Sequence, residues 1–377
     1  MNRIIKRLLW GTRKADSLVT VCISKKNILA NLSEFQKLNG SVAPVLKSNA
    51  YGHGLIEVAE ILEKASVPFF VVDSYYEAHT LRYNEITKPL LVIGYTTKKT
   101  IEENIFDDIS FVITSLEMLK SLSDIKKKVT IHLKIDTGMN RQGLVKEEIK
   151  EALDFISAHK QLILEGIATH LSDADNADDT FTKEQIKVWN SIAEKVKEVF
   201  PEIKYIHVSN TAGHIYINKM VSNVSRLGIG LYGLQSGGLV DKKVSINPVM
   251  TVKTIVTGVK KISVGDSVGY SRSFVATKEM KIATIPFGYY EGMDRRLSGK
   301  GFVKIGEKYA KILGKVCMNI TIIDVTNIED VAIGTEVIVV SDNREDKNSI
   351  ENIAKLCATI PYEIAVHIGG SLKRMVV

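Results

Sequence analysis

Cysteine is scarce: three residues in 377, Cys22, Cys317 and Cys357, far apart and without metal-ligand spacing. That argues against a disulfide framework or a thiolate metal site and suits reduced thiols in a cytoplasmic protein. Long apolar runs are also missing, and nothing approaches the roughly 20 residues that span a bilayer. The opening stretch, MNRIIKRLLWGTRKAD, has only Leu8, Leu9 and Trp10 as consecutive apolar residues. That is too short for a signal-peptide core, so residues 1–16 read as a solvated tail or a short docking helix. The net charge of +7 is spread over a long chain, with lysines gathered only in short groups such as Lys126–Lys128. No aromatic residues interleave them, which argues against a nucleic-acid face and leaves cations available to small anions. Internal repeats, low-complexity tracts and long linkers are absent as well.

The chain does have an ordinary globular composition, 45% apolar and 25% charged, and length enough for two cores. From about residue 42 to 235, short apolar runs alternate with amphipathic segments. The runs cover 43–47, 69–72, 90–94, 111–113, 130–135, 163–169, 204–208 and 223–227. Helix-like stretches lie between them, such as LIEVAEILEKA (55–65) and KEQIKVWNSIAEKVKEVF (183–200). The second puts Ile186, Trp189, Ile192, Ala193, Val196 and Phe200 on one face at a period of 3.6. Strand–helix alternation implies a parallel sheet, and eight repeats imply a closed (β/α)8 barrel of the TIM type.

Beyond about residue 243 the texture changes to short β-rich runs punctuated by glycine, among them KIATIPFGYYEG, GFVKIG, KVCMNITIIDV and GTEVIVV. These read as a mostly antiparallel β domain. The expected division is a tail over 1–16, a barrel over 17–243 and a C-terminal β domain over 244–377. SLVTVCIS (17–24) is an extra strand that fits either domain.

In a barrel, polar residues at the C-terminal strand ends form one site. The first strand ends at Lys47 and the fifth in LKIDTGMNRQG, with Lys134, Asp136 and Arg141. The sixth ends at His170, the seventh at Asn210 and Thr211, and the eighth at Arg226, Gly228 and Ile229. Amines, guanidiniums and an imidazole therefore face one another with few acids, as an anionic ligand requires. The seventh and eighth ends suit phosphate, because Thr211 can donate its hydroxyl and Gly228 permits close backbone approach. A lysine opposite a phosphate cradle suggests pyridoxal 5′-phosphate (PLP), whose aldehyde forms a Schiff base with an amine. An arginine at the pyridine nitrogen would leave it unprotonated, which suits proton exchange at an amino-acid Cα. For Arg226 the alternative is an ion pair with a neighbouring acid.

VLKSNAYGHG closely resembles the PLP-attachment motif of the alanine racemase family. The resemblance continues in order through IDTGMNRQG, ATHLSDAD, HVSNTAG, RLGIGLYG, VGYSRSF, IPFGYYEG, KVCMNI and IPYEI, covering residues 17–373. It implies a PLP-binding barrel followed by a β domain, acting as a homodimer with shared sites. By this resemblance Lys47 is the Schiff-base lysine and one catalytic base, and Tyr270 is the second base, supplied by the partner subunit. His170 is implied to bond that tyrosine and to link to Arg226. Tyr51, Thr211, Gly228, Ile229 and Tyr362 match phosphate contacts. Arg141 matches an arginine touching the cofactor's phenolic oxygen and the substrate carboxylate, and Lys134 a lysine carbamylated in many relatives. Met318 matches a backbone contact to the substrate carboxylate, and Asp175, Tyr289 and Arg295 match the substrate entryway.

The chain also departs from the family. Asn319 replaces the acid of the usual Cys-Met-Asp at the partner-subunit loop, Tyr290 stands where alanine is more common, and Glu291 replaces aspartate. The expected activity is interconversion of L- and D-alanine for peptidoglycan synthesis, in the cytoplasm. Serine or broad-specificity racemisation and a non-catalytic PLP-binding barrel are the alternatives. Tyr362 limits space and favours alanine, whereas Asn319 points the other way. A related barrel-plus-β decarboxylase would carry a different phosphate loop and cysteine setting.

Overall fold

The computed structural model describes residues 17–377, so the tail read at 1–16 lies outside the described residues. Eight short parallel strands form the first architectural unit. They are β2 (Val42–Pro44), β3 (Phe70–Val72), β4 (Leu90–Val92), β5 (Ile109–Ile113), β6 (Val129–Lys134), β7 (Leu162–Ala168), β8 (Tyr205–His207) and β9 (Ser225–Leu227). Each overlaps one of the eight apolar runs. Strands β3 to β8 make one continuous sheet, and β2 pairs with β9. Bridges Val45–Val71 and His207–Val224 join the two pieces, which closes the barrel. Inside it, Ala43, Val45, Phe69, Val71, Leu91, Val112, Tyr205 and Val224 pack as their own cluster, from alternate strand positions.

Helices surround the strands: α1 (Lys25–Asn39), α2 (Leu55–Leu62), α3 (Tyr75–Tyr83), α4 (Lys98–Glu103), α5 (Leu116–Ser121), α6 (Ile149–Ala158) and α7 (Thr180–Val199). Ser24, Ser74, Thr97 and Ser115 accept from backbone N–H groups of the first turns of α1, α3, α4 and α5, satisfying donors the helices cannot. Helix α7 buries Ile186, Trp189, Ile192, Ala193 and Val196, the stripe its periodicity implied.

The second unit is a nine-stranded sheet in the order β11-β14-β17-β16-β15-β18-β10-β1-β19. Its members are β1 (Thr20–Ile23), β10 (Met250–Ile255), β11 (Gly258–Ile262), β14 (Met280–Ile285), β15 (Phe302–Ile305), β16 (Lys308–Leu313), β17 (Thr321–Asp324), β18 (Glu336–Val340) and β19 (Lys373–Val376). A small hairpin of β12 (Ser267–Val268) and β13 (Phe274–Val275) stands apart. Every neighbouring pair is antiparallel except β1 with β19. The 17–24 segment therefore joins this sheet, with Val21 and Ile23 buried on one face. Two helices, α8 (Ile350–Cys357) and α9 (Pro361–Val366), follow β18. Residues 315–320 form a loop that leads into β17.

Candidate active site

Lys47 lies three residues past the end of β2, beyond a link in which Leu46 N donates to Val71 O at 2.7 Å and Tyr232 Oη to Val45 O at 2.8 Å. The next four residues, Ser48, Asn49, Ala50 and Tyr51, all have φ between 52° and 56°. For residues with a Cβ, a left-handed turn costs about 1–2 kcal/mol each. The surroundings hold it in place. Asn49 N donates to Glu77 Oε1 at 3.1 Å, and Asn49 Oδ1 accepts from Leu55 N at 2.8 Å. Arg374 of β19 donates to Gly52 O at 2.8 and 3.2 Å. A Cβ on Gly52 would fall 2.0 Å from Ala365 O of α9, so only glycine fits there. Both structural units thus brace the turn that carries Lys47, and strain of this kind collects at functional sites.

A cavity of about 260 Å³ opens at the C-terminal strand ends. Lys47, Tyr51, Lys134, Arg141, His170, Asn210, Thr211, Arg226, Gly228, Ile229 and Tyr362 all line it, together with His207 and Gln142. None of its lining residues is acidic. Arg226 is buried, and its partners are Thr169 O at 2.7 Å, His207 O at 2.9 Å, Val208 O at 3.0 Å, His207 Nδ1 at 2.7 Å and His170 Nδ1 at 3.3 Å. None of these is a carboxylate, so the simple ion-pair alternative for Arg226 does not apply. Burial, with Arg141 adding to it, lowers the guanidinium to about 10. Burial also drives Lys134 well below the usual lysine range, reinforced by Arg226 and Arg141. His170 is lowered by burial and then by Arg226, Lys134, Arg141 and Lys47, so it stays neutral. Asp136 Oδ1 accepts from Gly138 N and Asn140 N at 2.8 and 3.2 Å, shaping the loop that presents Arg141.

On the opposite wall, a Cβ on Gly228 would lie 2.7 Å from Tyr51 Oη and 3.9 Å from Thr211 Oγ1. Glycine therefore keeps open a small space bounded by two hydroxyls and the backbone entering Ile229. Thr211 Oγ1 accepts from Gly230 N at 3.2 Å. Burial pushes the Tyr51 phenol up to about 12, so it is a neutral donor, and the Tyr362 ring lies 6.0 Å from it. Asn210 is committed to its loop, with Nδ2 donating to Leu171 O and Oδ1 accepting from Gly213 N.

The remaining candidates lie elsewhere on the chain. Tyr270, Tyr289 and Met318 are 67%, 44% and 55% exposed, and none lines the cavity. They share one region of the β domain: Lys315 Nζ donates to Ser271 Oγ at 3.1 Å, and Tyr289 N to Cys317 O at 3.0 Å. Asn319 is exposed in the same loop. Tyr289 and Arg295 line a second hollow against the far side of α9, with Glu363 and His367. Asp175 is exposed on a loop that packs against Gly238.

The left-handed turn and the partners of Arg226 escape a reading by strand ends. His132 and His207 sit inside strands at inward-facing positions, and polar residues among apolar neighbours in IHLK and IHVS are the signal that points to them.

Two family models match the chain: "Alanine racemase, N-terminal domain" over residues 23–236 and "Alanine racemase, C-terminal domain" over 249–376. Alanine racemase 2 of Caldanaerobacter subterraneus subsp. tengcongensis is 33% identical, with 94% of this chain and 93% of the relative covered. Among solved structures, the alanine racemase of Clostridium difficile 630 matches with a TM-score of 0.90 and 29% identity, covering 97% of both chains. That of Bacillus anthracis with bound L-Ala-P matches with a TM-score of 0.89 and 26% identity, covering 97% of this chain and 96% of that one.

Proposed function

The chain belongs to the alanine racemase family, and from that premise we propose that it is a PLP-dependent racemase interconverting L- and D-alanine. One observation carries the reading. A buried guanidinium, two lysines and an imidazole converge on a cavity without an acid, beside a cradle that a single Cβ would fill. Tyr51, Thr211, Gly228 and Ile229 would hold the cofactor's phosphate, with Tyr362 and Asn210 framing it. Lys47 would be its attachment point and Arg226 would face its ring nitrogen. When bound, PLP supplies the electron sink that makes an amino-acid Cα acidic.

The chain's own residues do the rest. Lys47 Nζ takes or returns the Cα proton on one face, and Tyr270 Oη of the partner subunit serves the other. The exposure of Tyr270 and Met318 on the β domain, away from this chain's own cavity, supports a homodimer with shared sites. His170, held neutral and bonded to Arg226, would orient the tyrosine. Arg141 binds the substrate carboxylate. Burial and the neighbouring guanidiniums favour the neutral form of the Lys134 amine, the form nucleophilic toward carbon dioxide. A carbamate there, formed with release of one proton, would give Arg141 a negative partner. Asp175, Tyr289, Arg295 and Asn319 line the approach. Tyr362 narrows the cavity and favours a small side chain, in keeping with D-alanine supply for peptidoglycan in the cytoplasm.

The test is Cα deuterium exchange in D₂O across a panel of L-amino acids, with PLP bound and its visible band recorded. Exchange with alanine far above serine supports the reading. Equal exchange points to a broader racemase, and a colourless protein that PLP cannot reconstitute overturns it.

A further inference from the structure

Behind Arg226 a line of polar side chains runs through the barrel's apolar interior. Between β6 and β7 the pairing slips: Ile131 faces Leu164, but His132 faces Gly166. Glu165 is the extra residue, and a bulge of this kind re-aims its side chain. Its carboxylate accepts from His132 Nε2 at 3.2 Å and from Ser110 Oγ at 2.8 Å, with Lys204 Nζ at 3.4 Å from the other oxygen. The His132 ring packs between Phe69 and Tyr205, against a residue that must be glycine. A Cβ on Gly166 would fall 2.6 Å from His132 Nδ1. His132 Nδ1 in turn lies 2.8 Å from His207 Nε2, and His207 Nδ1 takes the bond from Arg226. The two imidazoles are 1% and 0% exposed, whereas the Glu165 side chain is 22% exposed.

Chemistry fixes the direction of every proton. A guanidinium can only donate, so His207 Nδ1 accepts and its proton resides on Nε2. That proton goes to His132 Nδ1, which leaves the His132 proton on Nε2, aimed at Glu165. Burial alone would raise the Glu165 carboxyl, but bonds from His132 and Ser110 and the Lys204 charge outweigh it and hold it at about 2. Burial lowers both histidines, so each is neutral. All donors therefore point one way, from the cavity toward Glu165. Bonds in such a line polarise one another.

We propose that Glu165, acting through His132 and His207, is the counter-ion of Arg226 and fixes it as a charged, oriented donor toward the ligand's ring nitrogen. The three are positioning residues of the site, and the assignment rests on the cofactor reading above. A buried guanidinium with only neutral partners is costly, and a carboxylate linked through two imidazoles offsets that cost without putting an acid in the cavity. An acid in contact with the ring nitrogen would protonate it. A relayed one leaves the arginine there instead.

The test reads imidazole ¹⁵N and ¹H signals in the full-length protein, with and without PLP. In the wild type, His132 and His207 are expected as neutral Nε2–H tautomers at and above pH 7. Finding either as the Nδ1–H tautomer overturns the proposal, and this needs no variant. Glu165→Gln keeps an acceptor for His132 and removes the charge. It should shift the His207 signals, although His207 does not touch Glu165. In the PLP-loaded enzyme kcat should fall about tenfold, the scale of one hydrogen bond to a charged group, with KM unchanged. Glu165→Asp should recover most of that loss. Unmoved His207 signals in Glu165→Gln, or wild-type kcat, would overturn the line as a functional device. A wild type without racemisation would count against the cofactor reading alone, since the imidazole signals are read without PLP.

Discussion

Asn319 Nδ2 donates to Glu291 Oε1 at 2.7 Å, so two positions where the chain departs from the family pattern are hydrogen-bond partners. The other oxygen of Glu291 accepts from Gly288 N at 2.8 Å, and Tyr290 N donates to Met318 O at 2.9 Å. The amide at 319 thus ties the 315–320 loop to the 287–292 turn without setting two carboxylates against each other. The amide at 319 and the longer acid at 291, read singly in the sequence, therefore form one hydrogen-bonded pair.

Asn319→Asp should break that tie. Two carboxylates would meet where an amide now donates, at a cost of roughly 1 kcal/mol in urea unfolding at pH 7. The loss should shrink as pH falls toward the carboxyl range, because one shared proton restores a donor. Adding Glu291→Gln should recover most of it at pH 7, giving a coupling that a double-mutant cycle reads. Additive losses would sink the pairing.

Much of this was legible in the sequence because barrel strands buried on both faces read as uninterrupted apolar runs, and because chemistry gathers at their ends. Lys47, His170, Thr211 and Arg226 were found by that rule. The left-handed form of the turn after Lys47 was not legible, because Ser48, Asn49 and Ala50 carry no glycine signal for positive φ. Contacts from Leu55 and from distant Glu77 and Arg374 hold it. Helices α8 and α9 were missed because the glycine-punctuated β texture before them set the expectation for the whole C-terminal third. The Glu165 line was hidden for a different reason: a register slip between two strands has no signature in either strand alone.

Gly228→Ala tests the cradle. It adds a methyl 2.7 Å from Tyr51 Oη, in the space that the two hydroxyls bound. In protein that urea unfolding shows to be folded, PLP affinity should fall at least about tenfold, equivalent to roughly 1.4 kcal/mol. Titration of the visible band measures this. Wild-type affinity would show that phosphate sits elsewhere.

Acid should unfold the protein through its buried histidines. Burial pushes His53 and His214 down to about 4, against 6.5 when unfolded. Below 6.5 the unfolded chain binds protons that the folded chain refuses, so their stability is fully present above 6.5 and is lost as pH falls toward 4. Each shift corresponds to roughly 3 kcal/mol at its limit. Glu165 acts lower, its share being lost from about 4.5 toward 2. Calorimetry should give a Tm that is flat above pH 7 and falls steeply between pH 6 and 4. A flat profile through that window would contradict the burial of these rings.

Ser48→Gly isolates the strain beside Lys47. Ser48 is exposed, with φ 56° and ψ 51°, so its replacement removes little packing. Relief of the left-handed penalty, about 1–2 kcal/mol, competes with the extra chain entropy of glycine, about 0.5–1 kcal/mol. The net expectation is a gain of up to about 1 kcal/mol in urea unfolding. The same change should loosen the Lys47 amine, lowering kcat more than it alters PLP affinity. Asn49→Gly should not behave alike, since it also removes the carbonyl that accepts from Leu55 N. A destabilised Ser48→Gly would mean that the turn is relaxed in the folded protein, and that its left-handed form is set by contacts rather than held against them.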